Sequence, residues 1–161
     1  MKIVIDLDAQ QLELLDEAGQ AIRAWPVSTA ANGPGETCGS GCTPRGRHVV
    51  RAKIGAGLPV NTVFIGRRPT GEIYSPELGA QEPGRDWILS RILWLSGKEP
   101  GFNRLGQNDT MRRYIYIHGT PDEQFEAKPC SHGCIRMRNT DLVELFDLVP
   151  PYTEVDIRST A

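Results

Sequence analysis

Between Ile115 and Asn139 the chain reads IYIHGTPDEQFEAKPCSHGCIRMRN, a stretch holding two of its three histidines and two of its four cysteines. Three chemistries use these residue types: a thiol nucleophile with its base, a zinc knot, or a disulfide-stapled loop. Cys134 sits in a Ser-His-Gly-Cys turn and is followed by Ile135 and Arg136. Histidine and arginine neighbours favour thiolate over thiol, and thiolate is the nucleophilic form. His118 precedes Cys134 by sixteen positions, a gap that a loop can close in space, so it could accept the thiol proton as general base. The carbonyl of Gly119, or another backbone acceptor nearby, could hold the second ring nitrogen and fix the tautomer. His132 is a rival base, because alternate residues of an extended segment share a face. The N–H groups of His132, Gly133 and Cys134 in a tight turn could converge on a tetrahedral oxyanion, and Gly133 would let a substrate come close.

The other readings have their own candidates. Zinc could draw on Cys38, Cys42, Cys130, Cys134, His118 and His132, but the Cys-x-x-x-Cys spacing is not that of a Cys-x-x-Cys knuckle, so no metal is expected. Cys38 and Cys42 fit a local disulfide on oxidation or two small side chains in a glycine loop, and so short a loop would stabilise little. Cys130 could trap Cys134 under oxidation. His48 reads as a surface or satisfied core histidine, and Trp25, Trp87 and Trp94 read as core rather than as a ligand platform.

The elements that must position these residues are mostly strands. Ile3, Ile5 and Leu7 fall on alternate positions, with Asp6 between the last two and Asp8 after them, and Leu12 and Leu14 resume the alternation after a polar break, which predicts two half-buried strands. After a turn over 16–19, Ala21 to Val27 predicts a third. STAANGPGETCGSGCTPRGR, Ser28 to Arg47, is too rich in glycine and proline for either regular structure and predicts a long loop, whose part from Ala30 to Gly41 could act as a lid. His48 to Lys53, Thr62 to Arg67 and Glu72 to Ser75 are short β-like runs. Trp87 to Leu95 suits a buried strand, and Arg113 to Ile117 a strand delivering His118 at its end. Leu142, Leu145, Phe146 and Val149 stand at helical spacing behind Asn139 as cap and Asp141 in the first turn, and Pro150 and Pro151 stop the helix. Thr153 to Arg158 closes as a strand. The whole predicts a mostly β fold with one C-terminal helix.

A chain of 161 residues fits one domain over 1–161 and can bury a core without staples. A net charge of −2 with mixed signs leaves no footprint for nucleic acid or an anionic membrane. No window approaches the roughly 18 apolar residues of a membrane span, and Asp6 and Asp8 interrupt any secretory h-region. These features, with few cysteines, lead us to expect the cytoplasm, or the periplasm if a leader has been removed.

YIYIHGT followed by SHGCIRM resembles the YkuD-type L,D-transpeptidase domain, and VSTAANGPGETCGSGCTPRGRH is similar to that family's Val-Ser-Thr strand end and Thr-Pro-x-Gly turn. The likeness runs from about Ile3 to Ile157. It implies a β-sandwich-like domain that attacks peptidoglycan stem peptides without a cofactor. By that resemblance Cys134 is the nucleophile, His118 the base, Gly119 its orienting carbonyl, and His132, Gly133 and Cys134 the oxyanion donors. Ser131 and Arg136 fill the remaining motif positions as substrate-binding residues, Arg136 with a salt bridge as its structural alternative. The implied reaction cleaves the bond between the L-centre of a diamino acid and the terminal D-alanine of a tetrapeptide. Hydrolysis of soluble muropeptides, as in murein recycling, is favoured; 3→3 cross-linking or D-amino acid exchange is the alternative, and a non-catalytic murein-binding or toxin-like module a further one.

Overall fold

The computed structural model describes residues 1–160. Its strands are β1 (Lys2–Asp6), β2 (Gln11–Leu15), β3 (Ala21–Pro26), β4 (Gly46–Ile54), β5 (Thr62–Ile65), β6 (Arg68–Ile73), β7 (Ile88–Gly97), β8 (Tyr116–Gly119), β9 (Ile135–Met137) and β10 (Glu154–Arg158). The helices are α1 (Pro76–Gln81) and α2 (Asn139–Leu148). The fold is thus mostly β, with one helix more than the sequence predicts.

One hydrogen-bonded sheet gathers the strands in the order β3-β2-β1-β10-β4-β7. β7 then carries β8 on its opposite edge, because Ile92, Leu93 and Trp94 pair with both β4 and β8. β9 continues from β8 in parallel register, and the β5–β6 hairpin joins the N-terminal half of β7. The two ends of the row meet: the Ser28 N–H donates to the Arg136 carbonyl at 2.9 Å and the Arg136 N–H to the Ser28 carbonyl at 2.8 Å. The sheet therefore closes and satisfies edges that would otherwise be open.

Inside lies a sandwich-like core of Ile3, Ile5, Leu12, Leu14, Trp25, Val50, Leu93, Leu95, Ile117, Ile135, Met137, Val155 and Ile157, plugged by Leu142, Leu145 and Phe146 of α2. Each such fully buried side chain contributes about 1.5–3 kcal/mol. Apolar residues alternate on β1, β2 and β10 because one face of those strands meets this core. β7 is buried on both faces over much of its length, with Ser90 and Arg91 among its buried residues.

Four local expectations change. β8 begins at Tyr116, since Met111 to Tyr114 forms a turn with Tyr114 at φ 57°. The run expected to reach Arg67 stops at Ile65: Gly66 (φ 56°) and Arg67 (φ 65°) form a tight hairpin turn, which moves β6 forward to Arg68–Ile73. α1 lies where no helix was expected; it buries no residue and so shows no apolar period, although Ser75 caps it and Pro76 opens it. Asn139 is not the cap of α2. Arg138 takes that position, and Asn139, completely buried, turns inward. No helix among the described residues is long and apolar enough to cross a membrane.

Candidate active site

The parallel pairing of β8 with β9 sets Ile117 against Ile135 and His118 against Arg136. Successive side chains alternate faces, so the two isoleucines enter the core while Tyr116, His118, Cys134 and Arg136 share the other face. His118 is 1% exposed. Its Nδ1 lies 2.7 Å from the Gly119 carbonyl oxygen; a carbonyl only accepts, so Nδ1 carries the proton and Nε2 keeps its lone pair. Burial lowers the pKa of the ring, with the Gly119 hydrogen bond opposing it, and the imidazole is neutral. Behind it Gly119 packs on Asn139, whose Oδ1 would stand 2.2 Å from any Cβ at that position.

Cys134 is half-buried. Its thiol donates to the Tyr114 carbonyl at 3.3 Å, and the Tyr116 N–H donates to Sγ at 3.3 Å. The thiol proton therefore rests on Tyr114 and not on His118. Burial, helped by the Asp86 carboxylate, pushes the thiol up to about 12, against the Tyr116 N–H and the Arg136 and Arg113 guanidiniums, which pull it down. The expected electropositive surroundings exist, but loss of water outweighs them. The resting pair is a thiol beside a neutral imidazole.

The turn that carries Cys134 is clamped from behind. Gly133 has φ 133°, and a Cβ there would press within 3.2 Å of both the Cys42 carbonyl oxygen and Ile115 Cδ1, so glycine alone fits. The Thr43 hydroxyl donates to the Gly133 carbonyl at 2.9 Å and accepts from the Ala30 N–H at 3.0 Å. Ser131, placed against substrate by the family likeness, is 2% exposed. Its hydroxyl donates to the Cys134 carbonyl at 2.6 Å and accepts from the Gly133 N–H at 3.2 Å. Ser131 is a staple of the turn, out of a substrate's reach. Gly133's N–H is drawn into that staple, away from the expected oxyanion role, while those of His132 and Cys134 are not.

Arg136 takes the alternative foreseen for it: Nη2 meets Asp86 Oδ1 at 3.0 Å, and Nη1 reaches the Cys130 carbonyl at 3.4 Å. The His132 side chain, 79% exposed, has Nδ1 3.6 Å from Asp86 Oδ2. It stands between two clefts. One of about 270 Å³ is lined by Glu82, Asp86, Trp87, Cys130 and Arg136. The other, of about 450 Å³, is lined by Cys38, Arg112, Arg113, Tyr114 and Ile115. The glycine loop over 30–41 is fastened: Arg113 donates to the carbonyls of Gly35, Glu36 and Cys42, and Glu36 pairs with Arg45 at 2.9 Å.

Among the described residues no group of three or more His, Cys, Asp or Glu could hold a metal ion, and all four cysteines are free thiols. His48 is a satisfied core histidine between the Gly46 carbonyl and the Thr110 hydroxyl. Trp94, expected in the core, is only half-buried and stacks with Tyr114 and Tyr116. The sequence reading overlooked Tyr114, Tyr116, Arg113, Thr43, Asp86 and Asn139. Thr43 lay inside the quoted Thr-Pro-x-Gly turn, Tyr114 and Tyr116 inside the quoted YIYIHGT, and Arg113 directly before it; Asp86 and Asn139 carry no local signal.

This geometry defines a histidine-flanked thiol on a closed, mostly β sheet. The family model for the YkuD L,D-transpeptidase catalytic domain matches residues 1–157, so the chain belongs to that family and is an L,D-transpeptidase-family enzyme. Curated relatives named as L,D-transpeptidases are YkuD of Bacillus licheniformis, 44% identical over 46 residues, and YqjB of Bacillus subtilis, 44% identical over 55. The first alignment spans 29% of this chain and 28% of the relative, the second 34% and 30%. An L,D-transpeptidase from Xylanimonas cellulosilytica shares the fold with TM-score 0.55 at 20% identity, covering 97% of this chain and 59% of that one. A mutant of the Enterococcus faecium L,D-transpeptidase gives 0.58 at 16%, covering 98% and 49%. L,D-transpeptidase 3 from Mycobacterium tuberculosis, in complex with a faropenem-derived adduct, gives 0.56 at 14%, covering 97% and 59%.

Proposed function

We propose that the protein cleaves stem tetrapeptides before their terminal D-alanine through a thioacyl-enzyme on Cys134, with water as the favoured acceptor. The observation that carries this reading is the pair of residues on one strand face: a thiol, and a buried imidazole whose Nδ1–H is fixed by the Gly119 carbonyl, leaving Nε2 to take a proton. Cys134 turns from Tyr114 towards His118 and loses its proton to Nε2, and its sulfur attacks the carbonyl of the diamino acid's L-centre. The N–H groups of His132 and Cys134 receive the oxyanion. The carbon–nitrogen bond breaks, the His118 proton goes to the departing D-alanine amine, and a water activated by the same imidazole releases the tripeptide.

The cleft linings support hydrolysis. Arg112 and Arg113 border one approach with no acid among its lining residues, and a cationic amine acceptor enters there at an electrostatic cost that water does not meet; at the other approach Glu82 and Asp86 offset Arg85 and Arg136. A D-amino acid brings a carboxylate that the same arginines attract, which favours exchange as the second reading. The setting proposed is the reducing cytoplasm, where Cys134 and its neighbours stay free thiols.

Mass spectrometry of the protein incubated with a soluble disaccharide tetrapeptide, with and without excess D-methionine, tests the outcome. Tripeptide in both tubes is expected; exchanged peptide with little tripeptide would replace hydrolysis by transpeptidation. A carbapenem should add to the wild type and leave Cys134→Ala unmodified, and equal mass shifts on both would remove Cys134 as nucleophile.

A further inference from the structure

The tight turn between β5 and β6 places an arginine where a left-handed backbone favours glycine or asparagine: Arg67 has φ 65°. Such a conformation persists when the surroundings over-determine it. Here the guanidinium lies 4.8 Å from the ring centroids of both Trp94 and Tyr114, and Nη1 donates to the Tyr116 hydroxyl at 3.0 Å. Two aromatic faces and one phenol hold the planar fork in a single orientation, at little further entropic cost to binding. Arg67 forms no ion pair with any acid among the described residues.

The fork borders a cavity of about 310 Å³ lined by Arg67, Trp94, Met111, Arg112 and Tyr114. Arg112 and Tyr114 also line the arginine-bordered cleft beside His132, so the two spaces adjoin at these side chains. The tie to the nucleophile is direct: the residues that hold Arg67 are those whose backbones touch Cys134, Tyr114 through its carbonyl and Tyr116 through its N–H.

We propose that Arg67, with Arg112, binds a carboxylate of the acyl-donor peptide and so determines which stem is accepted. The inference rests on the stem-peptide reading above. A preorganised fork without an acidic partner matches a carboxylate bidentately, and the exposed side of Tyr114 suits the methylenes beside it. Two carboxylates of a diaminopimelate-containing stem have this chemistry: the α-carboxylate of the γ-linked D-glutamate and that of the diaminopimelate D-centre.

Three tetrapeptides decide the matter: unmodified, amidated at the glutamate, and amidated at the diaminopimelate D-centre. Arg67→Asn suits the left-handed turn and keeps the fold, and Arg67→Lys keeps the charge without the fork. Arg67→Asn should raise KM on the unmodified peptide about tenfold with kcat within about twofold, as for loss of a charged hydrogen bond. Arg67→Lys should recover part of that loss. Amidation of the bound carboxylate should raise the wild-type KM by the same factor and leave Arg67→Asn no further effect; the peptide that shows this names the carboxylate. Wild-type turnover with an Arg67→Asn effect that is absent, or equal on all three peptides, overturns the subsite and leaves the stem-peptide reading standing. No turnover by the wild type, with no binding of any peptide to Cys134→Ala by calorimetry, overturns that reading and the subsite with it.

Discussion

At the scale of single residues, the resting state of Cys134 decides how the chemistry must start. Burial holds the Cys134 thiol well above the ordinary thiol range, so in the proposed reaction the proton moves within the encounter with substrate. His118 is suited to receive it, since burial keeps its ring neutral and Gly119 keeps Nε2 open. Alkylation of Cys134 by iodoacetamide in the free enzyme should therefore keep accelerating as pH rises through 9. A plateau below about pH 8 would show instead a preformed thiolate–imidazolium pair. Residue types made the thiol and the histidines legible as a candidate site, because thiol and imidazole chemistry is carried by composition and spacing. The direction of the Cys134 shift was not legible: nearby arginines pointed one way, and the extent of burial, which depends on Tyr114 and Tyr116 folding over the sulfur, pointed the other.

At the scale of elements, α2 supports His118 from behind. Asn139 opens the helix and turns its amide into the protein, where Oδ1 accepts from the Ser90 hydroxyl at 2.6 Å and Nδ2 donates to the Thr120 carbonyl at 2.8 Å and Asp122 Oδ1 at 3.0 Å. It thereby ties Thr120, beside Gly119, to Ser90 of β7 and packs on Gly119 itself, whose carbonyl orients His118. Asn139→Ala should cost about 2–3 kcal/mol in urea denaturation, from buried partners left unpaired, and should lower kcat about tenfold while KM stays within about twofold. Lost stability with unchanged kcat would make Asn139 a pin of the fold alone. The apolar spacing of Leu142, Leu145 and Phe146 announced this helix, whereas the inward turn of Asn139 had no local sign, because an asparagine at a helix start reads equally well as a cap. α1 was hidden for the opposite reason: a helix that buries nothing leaves only its Ser-Pro start to read.

At the scale of the whole molecule, the sheet depends on a histidine that takes no part in the site. His48 is completely buried in β4, and burial lowers it from an ordinary 6.5 to about 4. The unfolded chain binds that proton more readily, so the stability His48 contributes is full above pH 6.5 and is lost as pH falls through 4; His118, also lowered, adds in the same direction. Urea midpoints should fall between pH 7.5 and 4.5, with His48 responsible for up to about 3 kcal/mol; an NMR titration of His48 centred near 6.5 would contradict this. The alternation on β1, β2 and β10 revealed the strands, but no local pattern revealed that the sheet closes through Ser28 and Arg136. That closure has a temporal consequence. Ser28 and Cys130, which touch where the ends of the sheet meet, stand 102 positions apart, and β10 must slot between β1 and β4. Contacts so distant along the chain form late and slowly. Until β10 has joined, the sheet is parted between β1 and β4, and the two ends that meet at Ser28 and Arg136 are held together by their own few contacts alone.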